Sequence, residues 1–568
     1  MGIRSVLEAL EVKPTDDEYE SIATSRWGNK DVYPIPRDKR TYGWLSFYAY
    51  WGTCGMSLSS WTIGSSLIGI GLTAGQACGV VVRHACSAPY LYLTHVTDPE
   101  GHVVGCVIAS LSSYLNGAAG TIHRLGYGTL ARAAFGLWGA YFVVMLNVFQ
   151  SFVFYGTQMC FGGMAFVLIL NAVFPAFLHM ANTLPESAGI TTPQLTGFVL
   201  FIFLYIPVIY FVPPHQIQRF LVANLLISSA TLFGIMGWAV HANGGAGNLV
   251  SPPVVMSKSQ VGFMMVHGIT SVAGTYTGGS ERVSDWTRYA KHRNSPTLAQ
   301  LTALPVTVTL VALIGIVTTS ACAEMLGQVE WNPMMMLQTI QVRYYTAAAC
   351  RAGTFFAGVG LLSVTVFINY TQNCVSSGMD VAMLAPRYVS RRRGSVIFAL
   401  LGVLANPWRF LTQATTFITV LSSFGVFMSP AAAVLVVDFW LVRRTQWNIP
   451  DLYSPEGIYW FWNGVNWRAL LSYLLGMIWA LPGFIMAVGG LPVAEGWYRV
   501  YQISFFLGYG VSGGLYYLLN LLFPPPGLGE QVDIDFLQGP VVLGVAASRP
   551  SSGDRGSEKP ARLAGEKV

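Results

Sequence analysis

Charge is what this sequence most conspicuously lacks. Of its 568 residues only 10% are Asp, Glu, Lys or Arg, while 53% are apolar; ordinary globular chains carry about 25% charged residues. In water a chain this long would divide into several domains, each needing a charged skin that these numbers do not supply. A surface facing lipid needs none, because hydrocarbon does not penalise exposed Leu, Phe or Val. Paired cysteines are lacking too. The eight cysteines are scattered, mostly inside apolar runs (Cys54, Cys160, Cys322, Cys374), and none forms a CxxC pair. A disulfide framework and a metal site therefore find no support, and the plain reading is small buried hydrophobes. The net charge is +6, yet no Arg/Lys-rich groove interleaved with aromatics appears, which removes nucleic acid as a partner. No HExxH and no GxSxG with partners is present, so the chain does not read as an enzyme. The first 40 residues contain no apolar core of a cleavable signal peptide, which leaves the N-terminus in the cytoplasm.

What is present in quantity is long apolar runs. They recur near 44–71, 134–176, 195–213, 218–241, 259–280, 300–325, 350–378, 395–408, 411–442, 468–490 and 500–523, each matched to roughly 30 Å of hydrocarbon. With one further, broken span this gives an all-α integral membrane protein of about twelve transmembrane helices. Basic residues set its orientation. Arg26, Lys30, Arg37, Lys39, Arg40, Arg124, Arg132, Arg219, Arg288, Lys291, Arg293, Arg387, Arg391, Arg392, Arg393, Arg443 and Arg444 all fall in segments on one side. The opposite loops hold only Lys258, Arg343, Arg351, Arg409 and Arg499. Positive charge is retained inside, so both termini are expected in the cytoplasm. The chain then divides into a cytoplasmic segment 1–43, a transmembrane domain 44–523 and a tail 524–568, rich in Pro, Gly, Ser and charge and expected to be disordered.

The broken span is the second. Residues 74–82 and 103–115 are each too short to cross, and between them lies RHACSAPYLYLTHVTDPEGH (83–102) with Arg83, Asp98 and Glu100. Charged irregular backbone does not sit in lipid. Without it the flanks fuse into one apolar stretch of about 22 residues. A retained intron or gene-model error is preferred here over an unusual loop.

Polar residues inside such helices cost free energy and face a cavity or a neighbouring helix. Four clusters stand out. The first helix carries GTCGMSLSS (52–60), where Gly52, Gly55 and Ser57 permit an unwound break that can bind ions or substrate, or simply close helix packing. The third carries FVFYGTQ, with Phe154 and Gln158 one turn apart: a ring to stack on a flat heterocycle and an amide to read its edge. The sixth reads TSVAGTYTGGSERVSDWTRYAK (270–291). Its Gly274, Gly278 and Gly279 weaken the middle, Tyr276 adds a second ring, and Glu281 and Arg282 are expected as a solvated pair at the cytoplasmic end, with proton coupling at Glu281 the alternative. The eighth carries FINYTQNCVSSGMD, placing Asn369, Gln372 and Asn373 within about one turn; Asn373 can pair with an imide or lactam edge.

RWGNKDVYPIPRDKRTYGWLSF, HMANTLPESAGITT, VSDWTRYAK, SSGMDVAMLAPRYVSRRRG and LYSPEGIYWFWNGVNWRALLSY, in this order, resemble the nucleobase–cation–symport family, specifically its fungal uracil/allantoin/uridine permease branch, which stands close to thiamine and nicotinamide riboside permeases. The resemblance runs over residues 26–523. It implies two five-helix repeats of inverted topology followed by two extra helices, discontinuous first and sixth helices, and a mid-membrane site. It places the family's stacking Trp on Phe154, its Gln on Gln158, its substrate Asn on Asn373 and an aromatic on Tyr276. Phe for Trp keeps a π-face but loses area and an N–H donor. Where sodium-using members have a Ser–Thr pair this chain has Phe367 and Ile368, which supply no oxygen ligand, so a sodium site is expected to be absent and proton symport to operate. The implied protein is a plasma-membrane secondary transporter. Its small-molecule partner is a nucleobase, nucleoside or allantoin-like heterocycle, bound by Phe154, Gln158, Tyr276, Asn373, Gly274 and Ser57, with Glu281 and Asn369 in coupling or gating. It has no cofactor, and a homo-oligomer stays open. Thiamine or nicotinamide riboside transport, or a transport-inactive paralogue or sensor, are the alternatives.

Overall fold

The computed structural model describes residues 8–12, 25–69, 101–247, 258–405, 408, 411, 414–490 and 494–532. Helices are the only regular elements among them, joined by turns and a few isolated bridges. Hydrocarbon requires this, since each backbone polar group must be satisfied within its own segment. Eight described helices are long and apolar enough to cross a membrane: 139–173, 186–211, 218–243, 297–326, 348–384, 419–442, 467–489 and 504–522. The other expected crossings are broken or polar, and two of them, the first and the sixth, contribute to the functional centre.

The first crossing is split into α1 (Trp44–Gly55) and α2 (Leu58–Gly69). The break falls at Met56 and Ser57, inside the run of small residues where it was expected. The second includes α3 (Gly101–His123). Here the sequence reading needs correcting: 103–115 is not too short to cross, because the helix continues through Asn116 to His123 and its 23 residues reach about 35 Å. Its polar side chains bond back into the same helix, Ser113 to the Ala109 carbonyl, Asn116 to Ser112 and Thr121 to Ala118. The segment 83–102 lies outside the described residues except for Gly101 and His102, which open α3.

Next come α4 (Tyr127–Phe135), α5 (Gly139–Val173), α6 (Thr192–Phe211) and α7 (Gln218–Asn243). A capping box at Thr191, with Gln194 as its reciprocal partner, starts α6. The second half begins with α8 (Lys258–Glu281), then α9 (Ser284–Thr287), α10 (Thr297–Leu326) and α11 (Pro333–Arg343). It continues with α12 (Ala348–Ile368), a π-helical turn Asn369–Cys374, α13 (Val375–Leu384), α14 (Arg391–Gly402) and α15 (Ala414–Val437). The last crossings are α16 (Trp467–Met477) with α17 (Leu481–Gly489), then α18 (Glu495–Gln502) with α19 (Ser504–Leu522).

Packing interlocks the halves. Helices α1 and α2 lie on α10, and α3 lies on both α8 and α10. In the second group α5 packs with α6 and α12, and α13 with α14. The site opens between these two groups. Outside the membrane domain, the N-terminal segment is built into the fold. Arg132 donates to the Trp27 carbonyl, Tyr42 to Pro214, Tyr453 to Val32, and Asn29 to Pro386 and Val389. The tail also departs from expectation at its start. Val532 and the 447–449 backbone exchange hydrogen bonds, so 524–532 is folded, and 533–568 lies outside the described residues.

Gly163 and Gly197 mark a close helix approach, α5 on α6. A Cβ on Gly163 would stand 2.8 Å from Phe198 Cα, and one on Gly197 would meet the Gly163 carbonyl. Backbone cannot swing aside as a side-chain tip can. Gly197→Ala is therefore expected to destabilise by about 1–3 kcal/mol, read as a lower Tm of the detergent-purified protein. Gly234→Ala, where nothing lies within 4 Å, should leave Tm unchanged or slightly raised, since Ala favours helix.

Candidate functional site

A cavity of about 60 Å3 lies where the break in the first crossing faces α5, α8 and the π-helical turn. Its wall includes Cys54, Ser57 and Ser59 from the first crossing, Gln150, Phe154 and Gln158 from α5, and Tyr276 and Gly279 from α8. Arg282, Ile368, Gln372 and Asn373 complete it. Phe154, Gln158, Tyr276, Asn373 and Ser57, from four separate sequence clusters, thus meet in one place. Gly274 and Asn369 do not reach the cavity.

Each side chain is held by a specific contact. Ser57 Oγ accepts from the Ser60 backbone N–H at 3.2 Å, capping the restart of the helix. Ser60 and the Tyr276 hydroxyl share a hydrogen bond of 2.9 Å, which fixes that ring. Phe154 packs on Phe424 with centroids 5.3 Å apart. Gln158 donates to Ser59 Oγ at 2.9 Å, but its Oε1 is buried with no protein partner. Gln150 repeats the pattern: its amide nitrogen reaches the Gly274 and Thr275 carbonyls, and its Oε1 is unpartnered. Asn373 donates to Asn369 Oδ1 at 2.9 Å, so Asn369 orients Asn373. Six residues of π-helix widen this turn, and such wide turns gather at functional sites because they re-aim side chains.

The glycines of α8 call for a correction. The helix runs without interruption through Gly274, Gly278 and Gly279 and ends only at Glu281. These glycines give space rather than a break. A Cβ on Gly274 would stand 2.6 Å from the Gly425 nitrogen, one on Gly279 2.9 Å from Gln372 Oε1, and one on Gly278 would strike Gln150 Oε1. The discontinuity comes at Arg282–Val283, before α9.

Glu281 and Arg282 are a second correction. They are not a solvated pair, being 1% and 4% exposed. Glu281 accepts from Asn147 at 2.7 Å and from the Tyr127 hydroxyl at 3.4 Å. Arg282 donates to the Gly278 carbonyl, the Gln372 carbonyl and Ser377 Oγ, and lies 3.6 Å from Asp380. Asp285 accepts from the Tyr127 backbone. Sequence reasoning missed Asp285, Asp380 and Gln150 as site neighbours. Gln150 was findable: with Phe154 and Gln158 it makes a stripe at four-residue spacing along one face of α5.

Toward the basic end the cavity is sealed by buried rings. Tyr50 and Trp286 lie 5.1 Å apart, Tyr42 and Tyr289 5.9 Å, and Trp286 and Tyr370 6.4 Å. Tyr42 donates to the Pro214 carbonyl and Tyr370 to Val212, each at 2.7 Å. A helix break, an aromatic-and-amide cavity between two helix groups and an aromatic seal below it are the parts of an alternating-access carrier.

The family described as permease for cytosine/purines, uracil, thiamine, allantoin matches residues 103–508. The chain belongs to this permease family. Among its relatives, transporter aclS of Aspergillus oryzae is 30% identical, with 95% of this chain and 93% of that protein covered. The thiamine transporter of Saccharomyces cerevisiae is 30% identical over 87% and 79%, and the uracil permease of the same yeast 26% over 89% and 78%. Among solved structures, the nucleobase-cation-symport-1 transporter Mhp1, in a closed conformation with bromovinylhydantoin bound, superposes with a TM-score of 0.65 at 19% identity, covering 87% of this chain and 96% of that one. The family is one of permeases, and the fold is that of a membrane transporter.

Cys54 offers a direct probe of this permease's cavity. It is the one described cysteine on the wall, and its sulfur accepts from Gln372. A membrane-permeant methanethiosulfonate reagent should block uptake, saturating substrate should slow the block, and Cys54→Ser should abolish both effects. A block that persists in Cys54→Ser would place the reactive thiol elsewhere.

Proposed function

We propose that this permease imports an uncharged, flat heterocycle of the nucleobase, nucleoside or allantoin type across the plasma membrane by proton symport, with both termini cytoplasmic. The observation that carries the reading is the pair of buried, unpartnered amide oxygens, Gln150 Oε1 and Gln158 Oε1, on the cavity wall beside Phe154. A buried acceptor without a donor costs about 1–3 kcal/mol, and a ring bearing N–H groups restores both bonds while stacking on the phenyl face. Asn373 and Gln372 supply further amide contacts, and Ser57 lines the break. The lining side chains include Arg282 and no carboxylate, which disfavours a cationic ligand. The free volume has room for a few waters.

Proton coupling is supported by charge counting. The layer below the cavity holds three buried carboxylates, Glu281, Asp285 and Asp380, and two buried guanidinium groups, Arg282 and Arg288. One negative charge is in excess, a costly state at low dielectric, and a single proton balances it. Glu281, whose Oε1 has no protein partner, is the carboxylate we assign to it. Phe367 and Ile368 give sodium no oxygen.

A second reading, thiamine or nicotinamide riboside transport, is favoured by the 30% identity to a thiamine transporter. Radiolabelled uracil, uridine, allantoin and thiamine, offered at two external pH values to yeast lacking its own permeases, separate the two. The test compares the chain with and without residues 83–102. Uptake of uracil or allantoin that rises in acid supports the first reading, and thiamine uptake alone overturns it. Gln158→Ala should raise KM about tenfold or more, and Glu281→Gln should flatten the pH dependence while substrate still binds. Binding without uptake in surface-expressed protein would mark a transport-inactive sensor.

A further inference from the structure

A second, larger cavity lies apart from the one above. It lies at the basic end, has a volume of about 620 Å3, and is walled by the N-terminal segment, the 213–216 turn, Arg288 and the start of α14. Lys30, Lys39, Arg288, Arg391, Arg392 and Arg393 all line it, against one carboxylate, Asp31. Three consecutive arginines, 391–393, bring like charges together at one edge of this chamber, a repulsion that a bound anion relieves. The positive field acts on its neighbour: burial, with Lys39 and Arg391 behind it, pushes the His215 imidazole below its ordinary pKa.

The chamber is built rather than incidental. Ser390 Oγ caps α14 by accepting from the Arg393 N–H, and the Arg391 N–H donates to Asp31 at 2.9 Å. This fixes the three arginines in register. Arg391 is 6% exposed, yet its Nη1 has no protein partner. Arg288 is 2% exposed, donates to the Asp31 carbonyl at 3.0 Å, and leaves its Nε unpartnered. Buried guanidinium N–H groups left open in this way match the several oxygens of a phosphate, which Arg binds through paired N–H donors. The chamber also meets the lipid edge: the Arg392 guanidinium lies 5.9 Å from the Tyr210 ring, and Phe211 beside it is 72% exposed at the end of α6.

We propose that this chamber is a binding site for a multiply phosphorylated anion, either the headgroup of a phosphoinositide in the inner leaflet or a free polyphosphate. Arg391 and Arg392 are its principal ligands, and the anion ties the N-terminal segment to the 213–216 turn and α14.

The test uses full-length purified protein in uncharged detergent, with Tm followed against added ligand. The probes are dioctanoyl phosphatidylinositol 4,5-bisphosphate, inositol 1,4,5-trisphosphate and dioctanoyl phosphatidylserine. The bisphosphate lipid should raise Tm saturably and phosphatidylserine should not. A matching rise with inositol trisphosphate identifies phosphate alone as the determinant, while a rise with the lipid only assigns the site to the membrane. Arg392→Gln, at an exposed side chain, should weaken the response about tenfold or more, as should Arg391→Gln, and Arg343→Gln, at the end of α11 and outside the chamber, should not. No Tm change with either phosphorylated probe, or an undiminished response in both chamber variants, overturns the proposal.

Discussion

A guanidinium group buried inside a membrane protein is costly unless its N–H groups find acceptors, and the way Arg282 finds them organises the centre of this molecule. Its fork reaches the Gly278 carbonyl in its own helix, the Gln372 carbonyl and Ser377 on the opposite side, and Asp380 beyond them. To offer those groups, the chain between α12 and α13 abandons α geometry for a π-helical turn. That turn in turn brings Gln372 and Asn373 to the cavity wall. Near the same residue α8 ends, so the strand of polar contacts that closes one helix also shapes another. A charge that costs much to bury is tolerated here because four different groups share it.

The cavity sits directly against this charged layer, and the proton symport proposed above rests on that adjacency. Arg282 touches both: it lines the cavity and approaches Asp380. A change of charge among Glu281, Asp285 and Asp380 therefore alters the demand on a guanidinium that also holds the Gln372 backbone. Below the cavity, Tyr42, Tyr50, Trp286 and Tyr370 seal the route with rings whose hydroxyl and indole groups are themselves bonded, so closure is made by packed apolar area with polar latches.

Much of this was legible in the sequence because hydrocarbon leaves few choices. Long apolar runs had to be helices, and the run of small residues at 52–60 marked the one place where the first helix could break. Phe154, Gln158, Tyr276 and Asn373 were recoverable because a polar or aromatic group in an apolar helix has nowhere to face but inward. What the sequence hid depends on partners far along the chain. Gly274, Gly278 and Gly279 looked like a weak helix, but each exists to admit Gly425, Gln150 or Gln372, which no local pattern reveals. Glu281 and Arg282 looked like a surface pair because the helix end was in view and the covering groups, Tyr127, Asn147 and Asp380, were not. The second span looked too short because hydropathy undervalues Ser, Asn and Thr that bond back into their own helix.

The anchoring of the N-terminal segment has a consequence for how the protein is made. Trp27 waits for Arg132, Asn29 for Pro386 and Val389, and Val32 for Tyr453. The residues synthesised early thus remain unmatched until nearly the whole transmembrane domain has left the ribosome. Contacts this distant in sequence form late and slowly, and chains emerge at about 5–20 residues per second. The bonds that anchor this segment are therefore among the last in the molecule to form. A nascent permease inserted in the membrane thus has most of its helices before its first residues are tied to them.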